Sequence, residues 1–88
     1  MLMRTLITAR RQLLKMRVQM SNQIRGLMKT FGLVLPKGAG SVFERNVVTL
    51  LDDEDDLARI ILPLLQAWRD IRLRAAELTT QLVAMAGS

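Results

Sequence analysis

The chain has 88 residues, with 13 Lys and Arg against 8 Asp and Glu, a net charge of +5, and neither Cys nor His. Such a length is one domain at most, and a marginal core if it folds alone. Without Cys there is no disulfide or thiolate chemistry, and without His the commonest general base and metal ligand are missing.

The charge is not evenly spread. The first acidic residue is Glu44, and eight cations precede it: Arg4, Arg10, Arg11, Lys15, Arg17, Arg25, Lys29 and Lys37. The part from Glu44 onward carries a net −3. A cationic stretch free of acids suits a negatively charged partner.

Residues 1–32 read as one basic amphipathic helix. Leu2, Leu6, Ala9, Leu13, Met16, Met20, Ile24, Leu27 and Phe31 step by four and three and share one face. Arg4, Arg11, Lys15, Asn22, Arg25 and Lys29 take the opposite face. Met3, Ile7, Leu14 and Met28 form a second apolar strip, with Arg10 and Arg17 between the two. A helix apolar on more than one side has more than one neighbour. Gly32 is placed as its C-terminal stop.

Residues 33–40, with Pro36, Gly38 and Gly40, form a connector. Ser41 and Glu44 have the spacing of a capping box, which opens a short helix within 41–51. The acidic turn 52–56 follows, with Asp52 or Asp53 as the expected N-cap of the last helix. That helix, 54–86, carries the seam Leu57, Ile61, Leu64, Trp68, Ile71, Ala75, Leu78, Leu82 and Met85. Pro63 inside it predicts a kink, or a helix that effectively begins there. The expected fold is all-α: a long antiparallel helical hairpin, coiled-coil-like, with a short helix in the connection. Its outer apolar strips call for a second copy or further domains.

The stretch ARRQLLKMRVQMSNQIRGLMKTFGL, residues 9–33, resembles the central helical segment of a family of bacterial insertion-sequence transposases. These carry a resolvase-like DEDD carboxylate domain before the segment and a serine-bearing transposase domain after it, and use a guide (bridge) RNA. The family pattern of Arg-x-x-Leu, Arg, Asn-x-x-Arg-Gly-Leu and Gly falls on Arg11 and Leu14 (or Arg10 and Leu13), Arg17, Asn22, Arg25, Gly26, Leu27 and Gly32. Pro63–Leu65 and the acidic turn extend the likeness over nearly the whole chain. The resemblance implies a fragment of a longer cytoplasmic bacterial protein. Met1 would then be an internal methionine or the start of a shortened reading frame. The implied role is to link two catalytic domains, assist oligomerisation and lie against guide RNA and DNA. The family's catalytic carboxylates and serine map onto nothing in this chain, so no catalysis and no cofactor are expected of it alone.

The candidate nucleic-acid contacts are Arg4, Arg10, Arg11, Lys15, Arg17, Asn22, Arg25 and Lys29. Lys and Arg bind phosphates through counterion release, without reading sequence. Gly26 has two readings, close approach of an RNA backbone or packing of another helix. The packing and oligomerisation residues are Leu64, Trp68, Ile71, Ala75 and Leu78. Asp52–Asp56 read as a solvated cap, because consecutive carboxylates cannot all point at one cation. Two other classes stay open: a purely structural oligomerisation module, and a basic amphipathic helix on an anionic membrane surface. No apolar run approaches the roughly 18–20 residues of a transmembrane helix, so membrane insertion is not expected.

Overall fold

The structure is a computed structural model that describes residues 1–87. Three helices follow in chain order, α1 Leu2–Thr30, α2 Ser41–Leu50 and α3 Asp55–Ala86, and no strand occurs among the described residues. α1 and α3 pack side by side in a rod of 50 × 22 × 16 Å. Two hydrogen bonds fix their sense. Trp68 Nε1 donates to Ser21 Oγ at 2.9 Å, and Arg10 Nε donates to Thr79 Oγ1 at 2.7 Å. Going back from 21 to 10 on α1 matches going forward from 68 to 79 on α3, so the pair is antiparallel. This is the helical hairpin that the apolar periodicities predict.

The turn between them begins at Gly32. Its φ of 78° is a left-handed conformation that glycine adopts without cost. Gly32 N–H donates to Lys29 O at 2.9 Å and Leu33 N–H to Met28 O at 3.0 Å. These two bonds satisfy carbonyls that the helix end would otherwise leave bare, the Schellman arrangement. Leu33 then packs beside Met28 at the edge of the core.

The core occupies one end of the rod. Ile24 and Met28 of α1, Leu35 of the connector, Phe43 and Val47 of α2, and Leu57, Ile61, Leu65 and Trp68 of α3 form one buried cluster with Leu51. The other end is a bare two-helix arm, where Leu6 and Ala75 are the buried apolar residues. Of the seam residues on α3, Leu57, Ile61, Trp68 and Ala75 are buried, while Leu64, Ile71 and Leu78 are half-buried at its edge. Leu65, off the seam, is fully buried.

Four sequence expectations are corrected. First, the face of α1 turned inward lies between its two apolar strips. Ile24 and Met28 are buried, whereas Leu2, Met16, Leu27 and Phe31 are exposed. The cause is that α1 meets α3 on one side and the connector with α2 on the other, so the arc between the strips is enclosed. Second, the capping box does not form. Gly40, with φ 57°, is the N-cap of α2, which leaves Ser41 inside the first turn. The Glu44 carboxylate instead accepts from Arg69 Nε of α3. Third, the N-cap of α3 is Glu54, without a side-chain cap bond; Asp52 and Asp53 lie in the preceding turn. Fourth, α3 does not begin at Pro63 but runs unbroken through it. Pro63 and Arg59 are both exposed, so water can take the Arg59 carbonyl that proline leaves without a donor.

Candidate nucleic-acid interface

A straight 100° step puts Arg4, Arg11, Lys15, Asn22 and Lys29 within a sector of about 40° on α1. All five are exposed, and none of their side chains makes a hydrogen bond or ion pair among the described residues. Their cations are thus not neutralised by a carboxylate among the described residues. Gly26 borders this sector. A Cβ added there would meet nothing within 4 Å, so no element of the chain packs against it. Intramolecular helix packing is therefore not the reason for this glycine. It leaves the backbone of a helix interior open beside the basic sector, at a cost of about 1 kcal/mol relative to Ala.

Arg25, expected on the same face, is turned to a different task. Its Nη1 donates to the carbonyls of Leu35 at 3.5 Å and Pro36 at 3.3 Å, and Nη2 to that of Gly38 at 3.0 Å. Its Cζ stands 5.1 Å from the centre of the Phe43 ring. Arg25 thus clamps the connector onto α1, a job suited to a planar fork with several donors. Gly38 is close-packed at this point. A Cβ on it would fall 2.5 Å from Val42 Cγ1.

Arg10 and Arg17 lie in the arc that faces α3, and both are half-buried. Arg10 is held by Thr79. Arg17 lines a cleft of about 180 Å³, together with Ser21, Asn22, Arg25, Gly40 and Trp68. The cleft lies between α1, the connector and α3. Its floor is aromatic: Phe43 and Trp68 have ring centres 5.2 Å apart at 47°. Arg72 also lies against Trp68, with Cζ 5.6 Å from the ring centre, but it does not line this cleft. Its guanidinium also approaches Gly40, where a Cβ would fall 3.3 Å from Nη2.

Arg72 is absent from the sequence-based set. The usable signal was its position four residues after Trp68, inside the inward arc of α3, where a cation is out of place. No Asp or Glu lines the cleft, and the nearby Glu44 is engaged by Arg69. Two hydroxyls near these arginines are engaged in hydrogen bonds. Ser21 Oγ donates to Arg17 O at 3.0 Å and accepts from Trp68. Thr79 Oγ1 donates to Ala75 O at 3.1 Å and accepts from Arg10. Among the described residues no three His, Cys, Asp or Glu side chains converge on a possible metal position. No helix there is long and apolar enough to cross a membrane.

No protein-family model, no curated protein and no solved structure matches this chain.

Proposed function

We propose that the chain is a non-catalytic helical linker and scaffold that holds nucleic acid through its phosphates, as the central segment of a guide-RNA-dependent insertion-sequence transposase would. The observation that carries the reading is the outer sector of α1. Arg4, Arg11, Lys15 and Lys29 are exposed there in one line, without a carboxylate partner among the described residues. Charges so arranged gain by replacing counterions along a phosphate backbone. The sector carries no aromatic residue, which favours backbone contact over base stacking. The likeness of residues 9–33 to the transposase segment supplies the identity of the partner, guide RNA and DNA.

Self-association or flanking domains form the second part of the reading. The arm exposes Leu2, Ile7, Leu73 and Val83, with 66%, 42%, 55% and 67% of their surface open. Apolar side chains so exposed along a thin two-helix arm favour a further protein surface.

The test is binding of a structured RNA by the chain and by the triple variant Arg11→Glu, Lys15→Glu, Lys29→Glu. Arg25 is left intact because its reversal would release the connector. Loss of RNA binding with unchanged helicity supports the reading. Equal binding by the two proteins overturns it and leaves a purely structural oligomerisation module.

A further inference from the structure

We infer that the flank of the hairpin opposite α2 is an interface that pairs two copies of this chain into a four-helix bundle. The inference rests on the self-association part of the proposed function and gives that part its face and its occupant.

The seam of α3 consists of two rows, each repeating every seven residues. One row, Ile61, Trp68 and Ala75, is buried. The other, Leu64, Ile71 and Leu78, is only half-buried. A step of about 100° per residue sets this second row roughly 60° to one side of the first. Arg69, which pairs with Glu44, and Arg72, which approaches Gly40, lie on the other side. The half-buried row therefore faces away from α2. The same division holds on α1. Arg25 reaches the connector and Phe43 on one side of the buried Ile24, and Met16, Met20 and Leu27 lie on the other. The helices are antiparallel, so residues displaced in the same angular sense from the contact line lie on the same side of the hairpin. The outer rows of α1 and α3 thus share one flank. Ile60 extends it at the packed end. Met16, Leu27 and Ile60 keep 48%, 42% and 55% of their surface open, so neither α2 nor the connector covers them.

A heptad seam with two rows serves two neighbours, and α1 supplies one of them. Size and charge make a second copy the other. The rod is 50 Å long and 16 Å across in its thinnest direction. Its flank therefore measures roughly 800 Å², the area that each partner gives to a stable interface. Among the described residues, no charged residue of α1 lies within roughly 60° of Leu27 around the helix. On α3 the nearest charges, Asp56 and Arg74, stand at the rim. Two identical flanks therefore meet without burying an unpaired charge. The line of Arg4, Arg11, Lys15 and Lys29 stands roughly 140° around α1 from the outer row. Stacking thus keeps the two cationic lines on opposite outer surfaces, although each chain carries +5. An anionic membrane seated on the flank would gain nothing from these cations, which point away from it.

The experiment measures mass by sedimentation from micromolar to near-millimolar concentration. It compares the chain with two charge-matched variants. Met16→Glu with Ile60→Glu places carboxylates on the flank. Ile7→Glu with Leu73→Glu places them on exposed apolar positions of the arm outside it. Circular dichroism checks the fold. The expected result is a dimer in the parent and in the arm variant. Association of the flank variant should weaken roughly a hundredfold or more, the effect of burying a charge without a partner. A second measurement needs no added charge. The chain has no Cys, so Ile60→Cys and Leu73→Cys each introduce a single thiol. Alkylation should slow with rising protein concentration for Ile60→Cys and stay constant for Leu73→Cys. This decides the matter if the flank variant loses helicity.

The outcomes separate the inference from the reading beneath it. A dimer that survives the flank carboxylates, or that protects the thiol of Leu73→Cys and not that of Ile60→Cys, overturns the interface and spares self-association. A parent that stays monomeric throughout overturns both and leaves the flank to a flanking domain. A monomeric parent that binds anionic vesicles, with the flank variant failing to, overturns both in favour of a lipid surface.

Discussion

Two residues of the Asn-x-x-Arg-Gly cluster have opposite duties although they are neighbours. Arg25 is structural. Replacing it with Met keeps some contact with Phe43 but strips three connector carbonyls of their donor. The expected loss is about 1–3 kcal/mol, the usual range for hydrogen bonds to a charged group, read by denaturant unfolding. No loss would show that the connector holds itself. Gly26 is the reverse case. Its surroundings are open, so Gly26→Ala should stabilise the isolated chain by up to about 1 kcal/mol through helix propensity. If the open backbone is where a nucleic-acid strand comes close, the same substitution should weaken RNA binding. A variant both more stable and equally good at binding would remove any functional reason for this glycine. The sequence marked the cluster as unusual but could not divide the roles. Which way Arg25 turns depends on where the connector passes, and that is a tertiary fact.

At the scale of elements, periodicity made the helices and the stop at Gly32 legible, because apolar spacing and a glycine requirement are local. The inward face of α1 was not. Two apolar strips on one helix leave its rotation undetermined until its neighbours are placed, and the enclosed arc turned out to contain Arg10 and Arg17. The capping box failed for a related reason. Its geometry is local, but Glu44 has a competing partner in Arg69, brought near by the hairpin. Pro63 was expected to kink the helix or to mark its effective start because proline removes a helix bond, yet the cost falls where water can satisfy the orphan carbonyl. Pro63→Ala should therefore restore a bond without disturbing the core and raise stability by about 1–3 kcal/mol. Thermal unfolding checks this; a lower Tm would mean that proline at this position is needed for α3 to follow α1.

At the scale of the whole molecule, the rod has a packed end and a bare end. The packed end, with α2 and the connector wrapped on the hairpin, supplies nearly all the buried apolar side chains. The bare arm supplies exposed apolar surface instead, which predicts that Tm rises with protein concentration as copies cover it. A concentration-independent Tm would assign that surface to flanking domains or to no partner. The hairpin was legible in the seam of α3, whereas the arginine-lined cleft was not, since it needs α1, α3 and the connector in register. The claim that joins these parts is that α1 presents an acid-free cationic line to phosphate. Its most direct test is the affinity of the chain for a structured RNA across a salt series. A phosphate-bound α1 gives a log-linear fall with a slope of roughly −0.9 for each duplex phosphate engaged, flattened in the Arg11→Glu, Lys15→Glu, Lys29→Glu variant. Binding that ignores both salt and the reversed charges would contradict it.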